Sequence, residues 1–295
     1  IMKNKIFVHF LLACLLLPSN LAVYSKAGEL PASLTPAAPP TPRINGPSIF
    51  GVRPDSEFLY TIPSTGDRPM EFIIATLPRG LKLDAKSGRI TGKVEQKGDY
   101  PLVLKATNAK GESEKKFRIV VGDQIALTPP RGWNSGKCWA SSVNQEKVLR
   151  SARAIVSSGL INHGWTYVNI DDTWQGQRGG TYNAIQANDK FPDVKLLCTQ
   201  IHDMGLKAGI YSTPWITSYA EYTGGSSDDP SGVWPPKFAD EKHQVFGKYD
   251  FAENDAKQWA AWGFDYLKFD WYPNDVPHVA KMAAALKNNK RDIIF

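Results

Sequence analysis

At 295 residues, with 42% hydrophobic and 22% charged side chains, the chain is long enough for two domains and is composed like an ordinary folded protein, not a disordered or collagenous one. Its formal net charge of +6 falls to +3 without residues 1–27, which hold Lys3, Lys5 and Lys26 and no acid. That balance, with no basic run interleaved with aromatics, gives no reason to expect a nucleic-acid partner.

Lys3 and Lys5 precede an apolar run, Ile6 to Leu17, of signal-peptide length. Ser25-Lys26-Ala27 supplies small residues for cleavage after Ala27, so residues 1–27 read as a signal peptide. The run contains His9 and stops too early to cross a bilayer, so no membrane span is expected and the destination reads as secreted or periplasmic. The alternative is a lipoprotein anchored at Cys14 in Leu12-Ala13-Cys14. Besides Cys14 only Cys138 and Cys198 remain, too few for a disulfide framework; they pair only if the fold brings them together.

Residues 28–41, with Pro31, Pro36, Pro39 and Pro40, read as a stiff, extended linker. Residues 42–122 read as all-β. The strand-like runs are Phe58–Ile62, Phe72–Ala75, Tyr100–Ala106 and Lys116–Val121, separated by turn signals at Gly80, Ser87-Gly88, Lys97-Gly98-Asp99, Asn108 and Gly111. This spacing predicts a small β-sandwich, and the segment contains no catalytic constellation.

From residue 128 to 295 the pattern alternates. Gly132-Trp133-Asn134 ends a first strand. Helices are predicted over Asn144–Ser158, Val194–Met204, Phe251–Trp262 and Val276–Leu286, from apolar residues at helical spacing with closing glycines such as Gly159, Gly205 and Gly263. Strands are predicted at Tyr167–Ile170, Leu206–Tyr211, Tyr266–Phe269 and, beginning, at Asp292–Phe295. The βαβαβαβαβ order predicts a parallel sheet with right-handed crossovers. With about five strands it reads as α/β, a partial (β/α)8 TIM barrel; such a barrel takes about 250 residues. Ile1 before Met2, and a last strand without a covering helix, lead to the expectation of a piece of a longer product, truncated at its C-terminus. An open, doubly wound sheet is the alternative.

The chemistry is expected where apolar strands finish in acids, because the strand C-terminal ends of a barrel carry its site. Phe264-Asp265-Tyr266-Leu267-Lys268-Phe269-Asp270 delivers a lysine and then an aspartate, on one face by period-two alternation. Beside Asp270 an ammonium at Lys268 holds the carboxylate ionised, as a nucleophile requires; the plain alternative is a structural ion pair. Tyr167-Val168-Asn169-Ile170-Asp171-Asp172 ends in two carboxylates, which reach the rim together only if the chain bends there. Their alternatives are a turn or cap pair, or a hard-cation site with Asp270. Acids gathered at such a rim suit glycoside chemistry, in which a carboxylate meets an oxocarbenium-like centre.

Taken together, several blocks carry a resemblance. Leu77–Asp84, Ser87–Gly92, Gly98-Asp99-Tyr100, Ala106-Thr107-Asn108 and Gly111 resemble the Ig-like domains of secreted bacterial proteins, which serve as spacers or binding modules. Pro129–Ser135, Tyr167–Trp174, Phe191-Pro192, Gly205–Tyr211, Asp255-Ala256, Trp262-Gly263 and Asp265–Asp270 resemble, in order, glycoside hydrolase family 27, the retaining α-galactosidases or melibiases.

The resemblance implies a TIM barrel, a galactose-containing oligo- or polysaccharide as partner, and no cofactor or metal. It makes Asp270 the nucleophile, Lys268 a contact to a sugar hydroxyl, and Asp171 and Asp172 acceptors for the galactose 4- and 6-hydroxyls. Tyr211 lines the site, or else is a core or interface tyrosine; Trp133 packs beneath the first strand end. The acid/base lies on a later strand, beyond Phe295, so the 295-residue chain alone is expected to be inactive.

The sequence departs from the family at Gly136, where relatives carry a tryptophan that floors the sugar, a platform worth about 1–3 kcal/mol of stacking. Trp139 and Trp215 are the candidates to replace it. Trp271-Tyr272, where relatives have a disulfide cysteine, and the loop from Thr213 to Asp229 also differ. These changes leave a β-L-arabinopyranosidase or isomalto-dextranase specificity open, and from another class, a secreted carbohydrate-binding protein that does not cleave.

Overall fold

In the computed structural model, residues 37–233 and 244–295 are described. The expected signal peptide, the lipoprotein alternative at Cys14 and the linker up to residue 36 lie outside them. Residues Ala38–Phe295 form one compact unit. Among the described residues no helix is long and apolar enough to cross a membrane.

The β half contains β1 (Arg43–Ile44), β2 (Ile49–Val52), β3 (Phe58–Thr61), β4 (Ser64–Thr65), β5 (Glu71–Ile73), β6 (Leu81–Asp84), β7 (Arg89–Gly92), β8 (Gly98–Asn108) and β9 (Gly111–Val121). One sheet runs β2-β9-β8-β5, a second β3-β7-β6, and β1 pairs with β4. Alternation along β9 explains the packing: Phe117, Ile119 and Val121 are buried, while Lys116 and Arg118 face out. Leu104 and Ala106 of β8, Phe72 of β5, Tyr60 of β3 and Ile90 of β7 fill the same core. Strands β2, β6 and β7 are too short for a periodic signal; tertiary pairing makes them. Gly80 and Gly92 abut so closely that a Cβ at either meets a backbone carbonyl oxygen at 2.0 Å, and both have positive φ (+94° and +130°).

The α/β half follows with β10 (Gly132–Asn134), α1 (Gln145–Ser157), β11 (Tyr167–Asn169), β12 (Gln175–Gly179), β13 (Ala184–Ala187), α2 (Val194–Asp203), β14 (Lys207–Ser212), β15 (Ser226–Ser227), β16 (Tyr249–Asp250), α3 (Ala252–Trp262), β17 (Tyr266–Phe269) and α4 (Val276–Lys287). The four helices stand within one residue of their predicted bounds, because caps fix their ends. The side chains of Asn144, Asp193 and Asp275 accept from the backbone N–H groups of Lys147, Leu196 and His278. Gly263 closes α3 in the left-handed region.

Strands β10, β11, β14 and β17 pair in that order, all parallel. Val168, Ala208, Ile210 and Leu267 of the sheet pack with Val148, Ala152, Leu197, Ile201, Ala256 and Trp259 of the helices. This is the successive parallel β–α arc of a partial barrel. The fifth strand expected at Asp292–Phe295 is reduced to a single parallel bridge, Tyr266 to Ile294, where Leu267 N donates to Ile294 O at 2.8 Å. Cys138 is exposed and Cys198 is buried in the core; both are free, which corrects the disulfide alternative.

Two excursions leave the arc: the β12–β13 hairpin and the long β14–α3 connection with its β15–β16 pair. A buried ion pair ties them to α3. Arg178 donates to both Asp255 oxygens at 2.5 and 3.1 Å and to Gly224 O at 2.9 Å, and its guanidinium lies over the Phe251 ring. Such a pair fixes which segments meet more than it adds stability.

The sandwich packs on the end of the arc where the parallel strands begin. Arg53 pairs with Asp292 at 2.5 Å and donates to the carbonyls of Lys287, Asn289 and Arg291. Ser56 also donates to Asp292, and Thr61 donates to Gly205 O. The opposite, C-terminal ends of the strands stay uncovered by the sandwich. The expected spacer is therefore a packed neighbour of the barrel arc.

Candidate active site

At the end of β10 the Asn134 side chain accepts from Gly136 N at 2.8 Å and turns the chain. The turn aims the Ser135 hydroxyl at the next strand end, where it accepts from Asp171 N at 2.8 Å. Beyond Asp172 the backbone bends sharply at Thr173, whose φ is +83°. Strand β11 ends at Asn169, so Asp171 and Asp172 lie past it and escape the alternation that would send them to opposite faces.

Asp172 is held on both oxygens. Oδ1 accepts from Thr173 N at 2.7 Å and Gln175 Nε2 at 3.0 Å, and Oδ2 from Ala220 N at 2.9 Å. Asp171 Oδ1 accepts from Asp172 N, and its Oδ2 receives Lys268 Nζ at 3.0 Å. The same ammonium lies 3.6 Å from Asp270 Oδ2 and 5.1 Å from the centre of the Tyr211 ring. Asp270 is fixed by its own N–H, which donates to Ser212 O at the end of β14.

The electrostatics follow from this arrangement. Partial burial pulls the Lys268 ammonium down, but Asp171 and Asp270 outweigh it and hold its pKa above the ordinary value. Lys268 therefore stays charged at neutral pH between the two carboxylates. Burial, and then the charges of Asp172, Asp270 and Asp171, push the Tyr211 phenol well up, so it remains a neutral O–H. Its oxygen is fully buried, beside the Tyr219 backbone. Asp270 has 35% of its side chain exposed against 15% for Asp171, leaving Asp270 the more approachable of the two acids paired with Lys268.

Five of the six predicted site residues, Asp171, Asp172, Tyr211, Lys268 and Asp270, thus meet at the C-terminal ends of β11, β14 and β17. Trp215 does not join their hydrogen bonds or ion pairs. It is buried in the β14–α3 connection with its ring edge-on to Tyr219 at 5.1 Å. Trp139 is engaged by α1: its Nε1 donates to Ser151, and Lys147 and Arg150 lie over its ring. At Gly136 an added Cβ would sit 2.9 Å from Asp171 Oδ2 and 3.1 Å from Asn134 Oδ1, so this backbone brings the rim turn close to the acid.

Trp133 packs against the core of the arc, beneath the rim. In the cation-site alternative, the gap between Asp171 and Asp270 holds the Lys268 ammonium, and among the described residues no cluster of three or more acids, histidines or cysteines is arranged for a metal ion.

Sequence reading missed Ser135 as an orienting group, Gln175 and the Ala220 amide. Ser135 lies within the quoted Gly-Trp-Asn-Ser block. The approach of Ala220 to Asp172 has no local signal, because a long loop makes it.

Residues 137–230 match the family model described as alpha galactosidase A, and residues 41–122 the one described as a putative Ig domain. A protein of Dictyostelium discoideum called a probable alpha-galactosidase is 37% identical over 178 residues, 58% of this chain and 40% of that protein. Alpha-galactosidase 2 of Arabidopsis thaliana is 33% identical over 184 residues, 60% of this chain and 41% of its own. A crystal structure of a putative alpha-galactosidase from Bacteroides fragilis superposes with a TM-score of 0.74 at 37% identity, covering 86% of this chain and 51% of that one. The chain spans about half the length of that structure and less of the curated relatives. Residues 137–230 of the barrel arc are thus similar to alpha-galactosidases, and residues 41–122 ahead of it to Ig-like domains.

Proposed function

We propose that the chain is the nucleophile-bearing part of a secreted, retaining α-galactosidase that removes terminal α-D-galactose from oligo- or polysaccharides. The observation that carries this reading is the Asp171–Lys268–Asp270 cluster, built from the C-terminal ends of separate parallel strands. Asp270 attacks the anomeric carbon as the glycosidic bond breaks, and the leaving oxygen takes a proton from a general acid. Water then releases galactose from the glycosyl-aspartate with net retention. Lys268, 3.6 Å from Asp270, contacts a sugar hydroxyl.

Asp171 and Asp172 accept from the 4- and 6-hydroxyls. An epimer whose hydroxyl misses either half-buried acid loses the corresponding hydrogen bond, which gives a physical basis for preferring galactose. The Tyr211 hydroxyl is a further donor to the ring. No step needs a metal or cofactor.

The acid/base must lie about 5–5.5 Å from the nucleophile in a retaining enzyme, and the family places it on a strand beyond those of residues 128–295. The 295-residue polypeptide by itself is therefore expected not to turn over an aryl α-galactoside. In a polypeptide that supplies the acid, a fluorinated galactosyl fluoride is expected to leave one galactosyl unit on the peptide containing Asp270, read by mass spectrometry. Turnover by the short chain that Asp270→Asn abolishes would contradict the first expectation. Binding without an adduct would favour the non-cleaving, lectin-like reading that the glycine at position 136 supports.

Export rests on the Lys3/Lys5 and Ile6–Leu17 pattern. The mature chain is expected to begin at Gly28. An N-terminal mass including an acylated Cys14 would point instead to a lipoprotein.

A further inference from the structure

A second concavity lies at the other end of the strands. Between the sandwich and the beginnings of β10, β11 and β14 is a cavity of about 340 Å³, in the range of small-molecule sites. Its lining includes Phe50 and Tyr60 from the sandwich and Arg131 and Lys207 from the barrel arc. A neighbouring cavity of about 540 Å³ shares Arg131 and adds Arg43 and Lys115. No aspartate or glutamate lines either one.

Two of these groups have unmet needs. The Tyr60 ring packs between Phe50 and Phe117, at 5.4 and 4.8 Å, and its hydroxyl is buried with no hydrogen-bond partner among the described residues. Tyr60 is only 8% exposed, so water does little to satisfy that oxygen. The Lys207 ammonium lies 5.4 Å from the centre of the Phe50 ring and, among the described residues, forms no ion pair. The nearby Asp265 has both oxygens engaged already, by His202, Ala208 N and Arg291. Burial draws the Lys207 ammonium below its ordinary value, and the charges of Asp265 and Asp292, opposed by Arg291, offset this only in part.

We propose that this junction binds a carboxylate-bearing ring of about hexose size, a hexuronic acid being the sugar form, with room for a second ring in the adjoining cavity. The carboxylate pairs with Lys207 and Arg131. The ring lies on the aromatic floor of Phe50 and Tyr60, and the Tyr60 hydroxyl gains its missing partner. Arg43 and Lys115 supply the positive field for a second acidic unit, although Lys115 is already tied to the Gly46 carbonyl. On this reading the sandwich binds acidic glycan together with the barrel, at a site remote from Asp270.

Calorimetric titration of the chain with galacturonate, digalacturonate, benzoate and galactose tests it. Both galacturonates are expected to bind in a Lys207-dependent way, whereas galactose held at the strand-end acids is expected to be indifferent to Lys207. Lys207→Met is expected to weaken galacturonate about tenfold or more, Arg131→Gln about threefold, and Asp270→Asn not at all. Arg131 is exposed at the rim, so its variant carries the test if Lys207→Met fails to fold. Benzoate binding with the same Lys207 dependence assigns the site to ring acids in general, and galacturonate binding alone assigns it to sugar acids. The proposal is overturned if neither acid binds, if Lys207→Met weakens galactose as much as galacturonate, or if galacturonate binding depends on Asp270 while ignoring both cations.

Discussion

Asp270→Asn is expected to lower kcat on an aryl α-galactoside by at least about 10⁴-fold in a polypeptide that supplies the acid/base, an increase in barrier of about 5.5 kcal/mol. The amide keeps the shape of the carboxylate and its backbone bond to Ser212, so the fold is retained. What goes is the anion able to bond the anomeric carbon, and with it the two-step route of a retaining enzyme. KM is expected to change much less, because Asp171, Asp172 and Tyr211 still hold the ring. A variant that kept more than about a hundredth of wild-type kcat would remove Asp270 from the nucleophile's role.

The largest effect on stability is expected at Asp265→Asn, at the opposite end of β17. Asp265 Oδ1 accepts from Arg291 at 2.7 Å, and Oδ2 accepts from Ala208 N at 2.9 Å and meets His202 Nε2 at 2.7 Å. Burial pushes this carboxyl up, but Lys207, His202 and Arg291 together outweigh it and hold its pKa well below the usual carboxylate range. The asparagine leaves Arg291 and Lys207 in like-charge company without their anion, a loss of about 3–5 kcal/mol near neutral pH. Against a typical total of about 5–15 kcal/mol, this is a large share.

The pH dependence has a definite sign. A depressed folded-state pKa contributes stability that is complete above the unfolded value of about 3.9 and is lost as pH falls towards the folded value. Urea midpoints are therefore expected to show the widest gap between wild type and Asp265→Asn near pH 7, narrowing below about pH 4. An equal gap at pH 7 and pH 3 would mean that the asparagine acts through packing and not through charge.

Asp265 and Asp270 also show where sequence legibility stops. Both stand in one short block, five residues apart; the strand's direction marks Asp270 as its C-terminal end, but nothing local shows which partners Asp265 meets. Asp270 lies beyond the C-terminal end of β17 and reaches the rim. Asp265 lies just ahead of the strand, within the charge network under the sandwich. Strand direction decides this, and direction is inherited from the parallel order of the sheet.

The same holds for the two tryptophans considered as a sugar floor. Trp139 is taken by α1 and Trp215 by its own loop. Each outcome depends on a neighbouring surface that composition does not reveal.

What the sequence determined by itself was local. The caps at Asn144, Asp193 and Asp275, the helical spacing of apolar residues and the closing glycines fixed four helices, because a helix is decided within a few turns of its own chain. The alternation of strands and helices fixed a parallel arc, and the order of acids at the strand ends indicated the chemistry. Tertiary structure alone decided which charges meet. The bond from Lys268 to Asp171 spans 97 residues, and Arg53 reaches Asp292 across 239. Such contacts are set by sheet order and by the docking of the sandwich. Their free energy comes from desolvated partners far apart in the chain, to which no local periodicity is sensitive.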